Sequence, residues 1–179
     1  ESTVLRAVVW RLKYIALIRF QSWMCKAVGR IATVSVTMKK RIASDYTVDS
    51  KNIFVVPNGV DGKKFPLVGG GECQFDIIAV GSFIHPRKGF SYLLEVYKSL
   101  AACGRTIADV GRRSDQQIED LKNIRGVTVH GMVDEDTLIN LVSHSKVLVS
   151  TSLYEGFGLS LIEALACGHP AFAFDVGAV

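Results

Sequence analysis

The second part of the chain alternates short apolar runs with longer amphipathic ones, and this alternation constrains the fold more than any other feature. Apolar, often β-branched runs predict strands at 76–80, 106–110, 127–130, 147–150 and 171–174. Helical spacing predicts helices between them, at 90–100, 115–123, 134–143 and 159–167. Short apolar strands that alternate with helices are typical of a parallel sheet covered on both faces. Right-handed crossovers make this a doubly wound, Rossmann-like α/β domain.

The first part of the chain has a different organisation. Helices are predicted at 4–28 and 37–44, strands at 31–36 and 52–56, and a turn at Pro57-Asn58-Gly59. We therefore expect an incomplete N-terminal domain at 1–57, a linker at 58–74 with a flexible break at Gly69-Gly70-Gly71, and a second domain at 75–179. The chain starts inside a predicted helix and stops just after a predicted strand, so we expect a fragment whose second domain is truncated.

The charge of the chain is unevenly distributed. Residues 1–41 hold nine Lys or Arg and one Glu, a net charge of +8, although the whole chain carries only +4. The basic N-terminal helix could contact anionic lipid as a peripheral membrane element, or pack against a missing domain, and we favour packing. We expect no nucleic-acid partner.

The cysteines and the hydropathy of the chain indicate its compartment. The four cysteines are scattered without a Cys-x-x-Cys pair, which predicts reduced, mostly buried thiols of a cytoplasmic protein and not a disulfide or zinc framework. No uncharged apolar stretch of about 18 residues is present, so a transmembrane helix is not expected.

Two glutamates stand out in the segment that follows the fourth predicted strand of the second domain. Glu155 lies in a turn where Gly156 and Gly158 permit close backbone approach to a ligand, and Glu163 lies inside an apolar helix. A buried carboxylate without partners costs several kcal/mol, and a ligand rich in hydroxyl groups could supply them. The alternative is that both glutamates are structural. Glu155 would interact with the dipole at the helix N-terminus, and Glu163 would hydrogen-bond to neighbouring backbone.

Three further loops are predicted at the carboxyl edge of the sheet, where ligands of such folds bind. Arg87 and Lys88 precede a helix start and could attract phosphate, or form a solvated turn. Gly111 could contact a ligand, whereas Arg112 and Arg113 are at least as well explained as solvent-facing. The third loop, Gly131-Met132-Val133, could flank a flat base or simply connect a strand to a helix.

Taken together, these residues resemble a known enzyme family. Glu155-Gly156-Phe157-Gly158-Leu159, followed by Glu163-Ala164 and Ala166-Cys167-Gly168, is similar to the E-x7-E motif of retaining glycosyltransferases with the GT-B fold. The similarity is greatest to family 4, which includes mannosyl- and glucosyltransferases. The other landmarks that agree in order are Val34-Ser35, the segment 56–61 with Phe65, Arg87-Lys88-Gly89 and Gly131-Met132-Val133.

The resemblance implies a nucleotide-sugar site in the second domain. Glu155 would contact the donor-sugar hydroxyls and Lys88 would neutralise the diphosphate leaving group, and these are the candidate catalytic residues. Glu163 would bind the ribose hydroxyls. The remaining candidate donor-binding residues are Gly156, Phe157, Gly158, Leu159, Ser82, Arg87, Gly111, Met132 and Val133. Neither a metal ion nor another cofactor is implied. The implied partners are a nucleotide-diphosphate sugar and an acceptor glycan or lipid-linked glycan.

The chain departs from the family pattern at two places. Ser82 stands where family members usually carry an arginine, and the acidic-Gly-Pro run often seen at 109–113 is missing. One lost charge-assisted contact weakens leaving-group stabilisation by about 1.5–3 kcal/mol, unless Arg87 compensates. We expect hexose transfer with retention by the full-length protein and no transfer by this fragment. The alternatives are a degenerate sugar-nucleotide-binding or membrane-associating module, or a GT-B epimerase.

Overall fold

The computed structural model describes residues 2–67 and 72–177, with side chains from residue 8 onward, and divides the chain into two compact units. These units are Glu1–Asn58 and Gly59–Gly177. The predicted break at Gly69-Gly70-Gly71 lies outside the described residues. The assignment of the first unit as the tail of an N-terminal domain stays a prediction.

In the described residues, the first unit contains two α-helices, a short 3-10 helix at Ser50–Asn52 and a small parallel pair of strands. Its elements are α1 (Ser2–Val28), β1 (Ile31–Thr33), α2 (Val36–Tyr46) and β2 (Ile53–Val55), and β1 pairs with β2. The strand predicted at 31–36 is shorter because Ser35 caps α2, its hydroxyl accepting a hydrogen bond from the Met38 N–H at 3.1 Å. None of the described helices combines the length and apolar character needed to cross a bilayer.

The second unit is the predicted doubly wound domain. Its α-helices are α3 (Phe90–Ala102), α4 (Asp115–Lys122), α5 (Glu135–Ser143) and α6 (Leu159–Ala166), and a short 3-10 helix, Pro86–Lys88, precedes α3. Its strands are β3 (Phe75–Val80), β4 (Ile107–Val110), β5 (Val127–Gly131), β6 (Ser145–Ser150) and β7 (Ala171–Ala173). All neighbours are parallel, in the order β5-β4-β3-β6-β7. The Rossmann-like fold class is therefore confirmed.

The core of this unit lies in two layers, one on each face of the sheet. Ile77 and Ala79 of β3 pack with residues of α3 and α4, whereas Ile78 packs with residues of α5 and α6. This is the alternation that a strand buried on both faces requires. Of the four cysteines, all free, only Cys167 is buried, so the prediction of mostly buried thiols was wrong.

The strand order also fixes where a ligand can enter. The chain runs from β3 outward through β4 to β5 and then returns to β6 on the other side of β3. The helices that follow β3 and β6, α3 and α6, therefore pack on opposite faces of the sheet, and ligands of such folds bind at this topological switch point.

Candidate functional site

The loops that follow β3 and β6 meet at this switch point. The N–H of Leu153 donates to the Arg87 carbonyl at 2.7 Å. Gly89 ends the β3 loop with φ +67°, and a Cβ at this position would collide with the Thr151 carbonyl oxygen. The two loops are therefore packed against each other through their backbones.

Lys88 and Glu155 form an ion pair across these loops. Lys88 Nζ donates to Glu155 Oε2 at 2.7 Å, and the two side chains are only 20% and 18% exposed. Burial acts to raise the pKa of the Glu155 carboxyl, but the hydrogen bond and charge of Lys88, with help from Ser152 and Gly156, hold it below its usual value. Sequence reasoning placed the two residues at one site but gave no sign that they touch.

Glycines shape the turn that presents Glu155. Gly158 has φ +83° and forms the N-cap of α6, and a Cβ there would approach the Leu161 side chain to 3.0 Å. Gly156 has no atom near its missing Cβ, and Phe157 is half-buried. The N–H groups of Leu161 and Ile162 donate to the Gly158 carbonyl, which leaves those of Leu159 and Ser160 as the anion-attracting end of α6.

Glu163 lies half-buried on α6, and its carboxyl has no hydrogen-bond or ion-pair partner among the described residues. Burial, and then the negative charge of Glu135, raise the pKa of its carboxyl. The helix is less apolar around it than its sequence indicates, because Leu159 and Leu165 are exposed and the buried side consists of Leu161 and Ala164. The structural alternative, a bond from Glu163 to neighbouring backbone, does not occur in the described part of the chain.

Arg113 corrects the interpretation of the second loop. Its guanidinium donates to Asp109 Oδ1 at 2.6 Å and to the Gly81 carbonyl at 2.6 Å, and it lies 4.4 Å from the centre of the Phe83 ring. The Tyr97 hydroxyl donates to the same Asp109 oxygen at 2.9 Å. The solvent-facing interpretation holds for Arg112, which is exposed, but was wrong for Arg113.

The Asp109–Arg113 pair was missed in the sequence, although one signal was available. An aspartate inside the buried strand Ile107-Ala108-Asp109-Val110 requires a partner, and an arginine follows four residues later. Because Asp109 neutralises Arg113 inside the domain, Arg113 does not replace the arginine expected at position 82, where this chain has serine. Ser82 itself is half-buried, and the Arg87 side chain is exposed.

The loops after β4 and β5 continue the same edge of the sheet. The N–H of Gly111 donates to the Gly131 carbonyl at 2.7 Å, and a Cβ at Gly111 would collide with the Gly81 carbonyl oxygen. Met132 is 71% exposed, whereas Val133 packs against the core. All the predicted site residues thus lie on loops at the carboxyl edge of one sheet or on α6, which follows one of those loops.

Comparison with known proteins identifies relatives of the chain. A sequence profile described as "Glycosyl transferases group 1" matches residues 74–179. The O-antigen chain mannosyltransferase RfbU of Salmonella typhimurium is 34% identical over 169 residues, which are 89% of this chain and 45% of that protein. The MMP alpha-(1->4)-mannosyltransferase of Mycolicibacterium hassiacum is 30% identical over 200 residues, covering 100% of this chain and 46% of that protein.

A solved structure agrees with these sequence matches. The crystal structure of TarM superposes with a TM-score of 0.70 at 26% identity and covers 92% of this chain and 32% of TarM. The chain spans less than half the length of the curated relatives named above.

Proposed function

The chain belongs to the group 1 glycosyl transferases, and on this premise we propose that it is the donor-binding part of a retaining enzyme of the family 4 type. The enzyme transfers a hexose from a nucleotide-diphosphate sugar to a glycan or lipid-linked glycan acceptor. The observation that carries the proposal is the Lys88–Glu155 pair at the switch point of the sheet, eight residues before the unpartnered Glu163.

Lys88 is proposed to act on the leaving group. When the bond between the sugar and the diphosphate breaks, its electron pair passes to a diphosphate oxygen. The Lys88 ammonium, together with the first N–H groups of α6, would then stabilise that charge. The acceptor hydroxyl attacks the same face of the sugar and passes its proton to the departing diphosphate oxygen, so the anomeric configuration is retained.

Glu155 is proposed to hold the sugar. Its low pKa keeps the carboxylate ionised, so it can accept hydrogen bonds from sugar hydroxyls and stabilise positive charge that develops on the ring. Gly156 leaves open space beside it, so the donor can approach the backbone N–H groups of Gly156 to Leu159. We do not assign Glu155 as a nucleophile.

Glu163 is proposed to bind the ribose. A half-buried carboxylate with a raised pKa gains most from new donors, and two ribose hydroxyls would supply them. The exposed Met132, with Val133 and Gly111, would then border the base, and Ser82 and Arg87 the phosphates. Metal independence stays a prediction, which is tested by adding a chelator to the activity assay.

Binding is tested by thermal unfolding of this chain with UDP-, GDP- and ADP-sugars. A ligand at about a hundred times its Kd stabilises a protein by roughly 2.7 kcal/mol. We expect a shift of the unfolding midpoint with donors of one base, its loss in Glu163→Ala, and its retention in Glu119→Ala, a change at an exposed glutamate on α4. No shift with any donor, or an equal shift in Glu163→Ala, would contradict the assignment.

The reaction itself is tested with the full-length protein. Free nucleoside diphosphate and a glycoside of unchanged anomeric configuration are the expected products. An epimerised sugar nucleotide would favour the epimerase alternative. Absence of any product, even after Ser82→Arg restores the missing cation, would favour a binding module without catalysis.

Peripheral membrane contact through α1 also stays a proposal. It predicts salt-sensitive co-sedimentation of the chain with anionic vesicles. Co-sedimentation with neutral vesicles to the same extent, or none at all, would contradict it.

A further inference from the structure

The hydroxyl of Thr151 links the two loops of the site from inside the protein. Thr151 follows β6 directly and is only 2% exposed. Its Oγ1 donates to the Gly89 carbonyl at 3.0 Å and lies 3.2 Å from the Lys88 carbonyl. We propose that Thr151 is a positioning residue that fixes the Lys88 backbone relative to the turn carrying Glu155; the inference rests on the proposed function of that pair.

The contact pattern favours a positioning role over simple packing. The Gly89 carbonyl also accepts from the Leu93 N–H at 3.1 Å, so Thr151 is tied to the first turn of α3 as well as to the loop. On its other side, Thr151 lies four residues before Glu155, within the loop whose Leu153 N–H bonds to Arg87. The Lys88 backbone is thus flanked by two hydrogen bonds, one at the Arg87 carbonyl and one at the Gly89 carbonyl, and both donors come from the β6 loop.

These hydrogen bonds matter to the ion pair because the position of the flexible Lys88 side chain depends on where its backbone is held. The Lys88 ammonium stands at the end of a four-carbon stem, and its meeting with Glu155 at 2.7 Å depends on where the backbone starts that stem. Thr151→Val keeps the shape of the side chain but removes the donor, so the Lys88 carbonyl loses its contact with the hydroxyl and the Gly89 carbonyl keeps only the Leu93 N–H. Thr151→Ser keeps the donor.

The test follows the Glu155 carboxyl itself, by NMR titration of chains with 13C-labelled glutamate side chains. In Thr151→Val we expect the Glu155 titration midpoint to rise toward the usual glutamate value. Binding of UDP or GDP, whichever the unaltered chain binds, should weaken by about tenfold. Thr151→Ser should keep both properties, as should Thr128→Val, a matched change at an exposed threonine on β5.

The two proposals fail in different ways. An unchanged Glu155 titration in Thr151→Val would overturn the positioning role, whatever happens to nucleotide binding or to Tm. If the unaltered chain binds neither UDP nor GDP, the proposed function fails, but the titration still decides the role of Thr151. Should Thr151→Val not fold, Thr151→Ala is titrated in its place, and the same two outcomes apply.

Discussion

The buried Asp109–Arg113 pair gives the sharpest prediction about stability. The Asp109 and Arg113 side chains are 0% and 1% exposed, so neither charge is solvated. Asp109→Asn removes the negative charge and leaves the guanidinium with neutral partners, chiefly the Gly81 and Arg112 carbonyls and the Phe83 ring. Breaking a buried pair costs about 3–5 kcal/mol, and because these neutral partners remain, we expect a loss of about 3 kcal/mol.

The assay is urea unfolding followed by far-UV circular dichroism. With a denaturant dependence of about 1–3 kcal/mol per molar urea, this loss lowers the midpoint by roughly 1–3 M. Both tryptophans, Trp10 and Trp23, lie in the first unit, so tryptophan fluorescence reports on that unit and does not follow the second one. Asp175→Asn, at an exposed aspartate of the second unit, should change stability by no more than about 0.5 kcal/mol.

A double-mutant cycle separates the pair from its surroundings. Arg113→Met also leaves an unpaired buried charge, on Asp109, whereas the double variant leaves none. The double variant should therefore lose less than the sum of the two single losses, by about 1–3 kcal/mol. A loss below about 1 kcal/mol in Asp109→Asn, or strictly additive single losses, would refute the reasoning.

Three further predictions concern charge and backbone in the same unit. Hydrogen bonds from Lys146 and Thr106 lower the pKa of Asp76 to about 2. Asp76 therefore stabilises the fold above about pH 4 and loses this effect toward pH 2. In urea titrations, Asp76→Asn should abolish this part of the loss of stability between about pH 4 and pH 2. The pKa of Glu163 is raised, so its carboxyl holds a proton more tightly in the folded chain than in the unfolded one. Stability therefore falls as the pH rises past the usual glutamate range. Glu163→Gln should raise Tm at pH 7 but not below about pH 4. Gly89→Ala should destabilise the fold by about 1–3 kcal/mol more than Gly131→Ala. The two glycines have nearly the same φ, +67° and +68°, but only a Cβ at Gly89 would meet a backbone carbonyl. Equal losses of stability by calorimetry would contradict this steric argument.

The secondary structure of the second unit could be predicted because it depends on local periodicity. The helix predicted at 90–100 is observed as Phe90–Ala102, and the strand predicted at 76–80 as Phe75–Val80. The alternation of apolar runs also predicts the parallel, doubly wound sheet. The one clear misjudgement of length, at 31–36, arose where a β-branched run continues into a helix cap at Ser35.

The contacts inside the site could not be predicted in the same way. Lys88 and Glu155 are 67 positions apart, and their meeting depends on β3 and β6 being neighbours, which no local pattern encodes. Arg113 looked like a surface residue because its neighbours in sequence are polar, but its surroundings are set by Phe83 and Asp109 on other segments. The types of residue in these loops were enough to indicate a site, but which of them contact each other could be known only from the strand order.

The two glutamates of the site differ in what a ligand changes for each of them. Glu155 already has a cation at 2.7 Å, so a diphosphate that draws Lys88 away costs that contact before it gains a new one. Glu163 has no partner in the described residues and its charged form is disfavoured by burial, so every donor that a ligand brings is a net gain. On the proposed function, the binding energy of the nucleotide-sugar should therefore come mainly from its nucleoside end, at Glu163. The Lys88–Glu155 pair would contribute chiefly once the diphosphate carries its extra charge, in the transition state and in free UDP or GDP, and less to binding of the intact nucleotide-sugar.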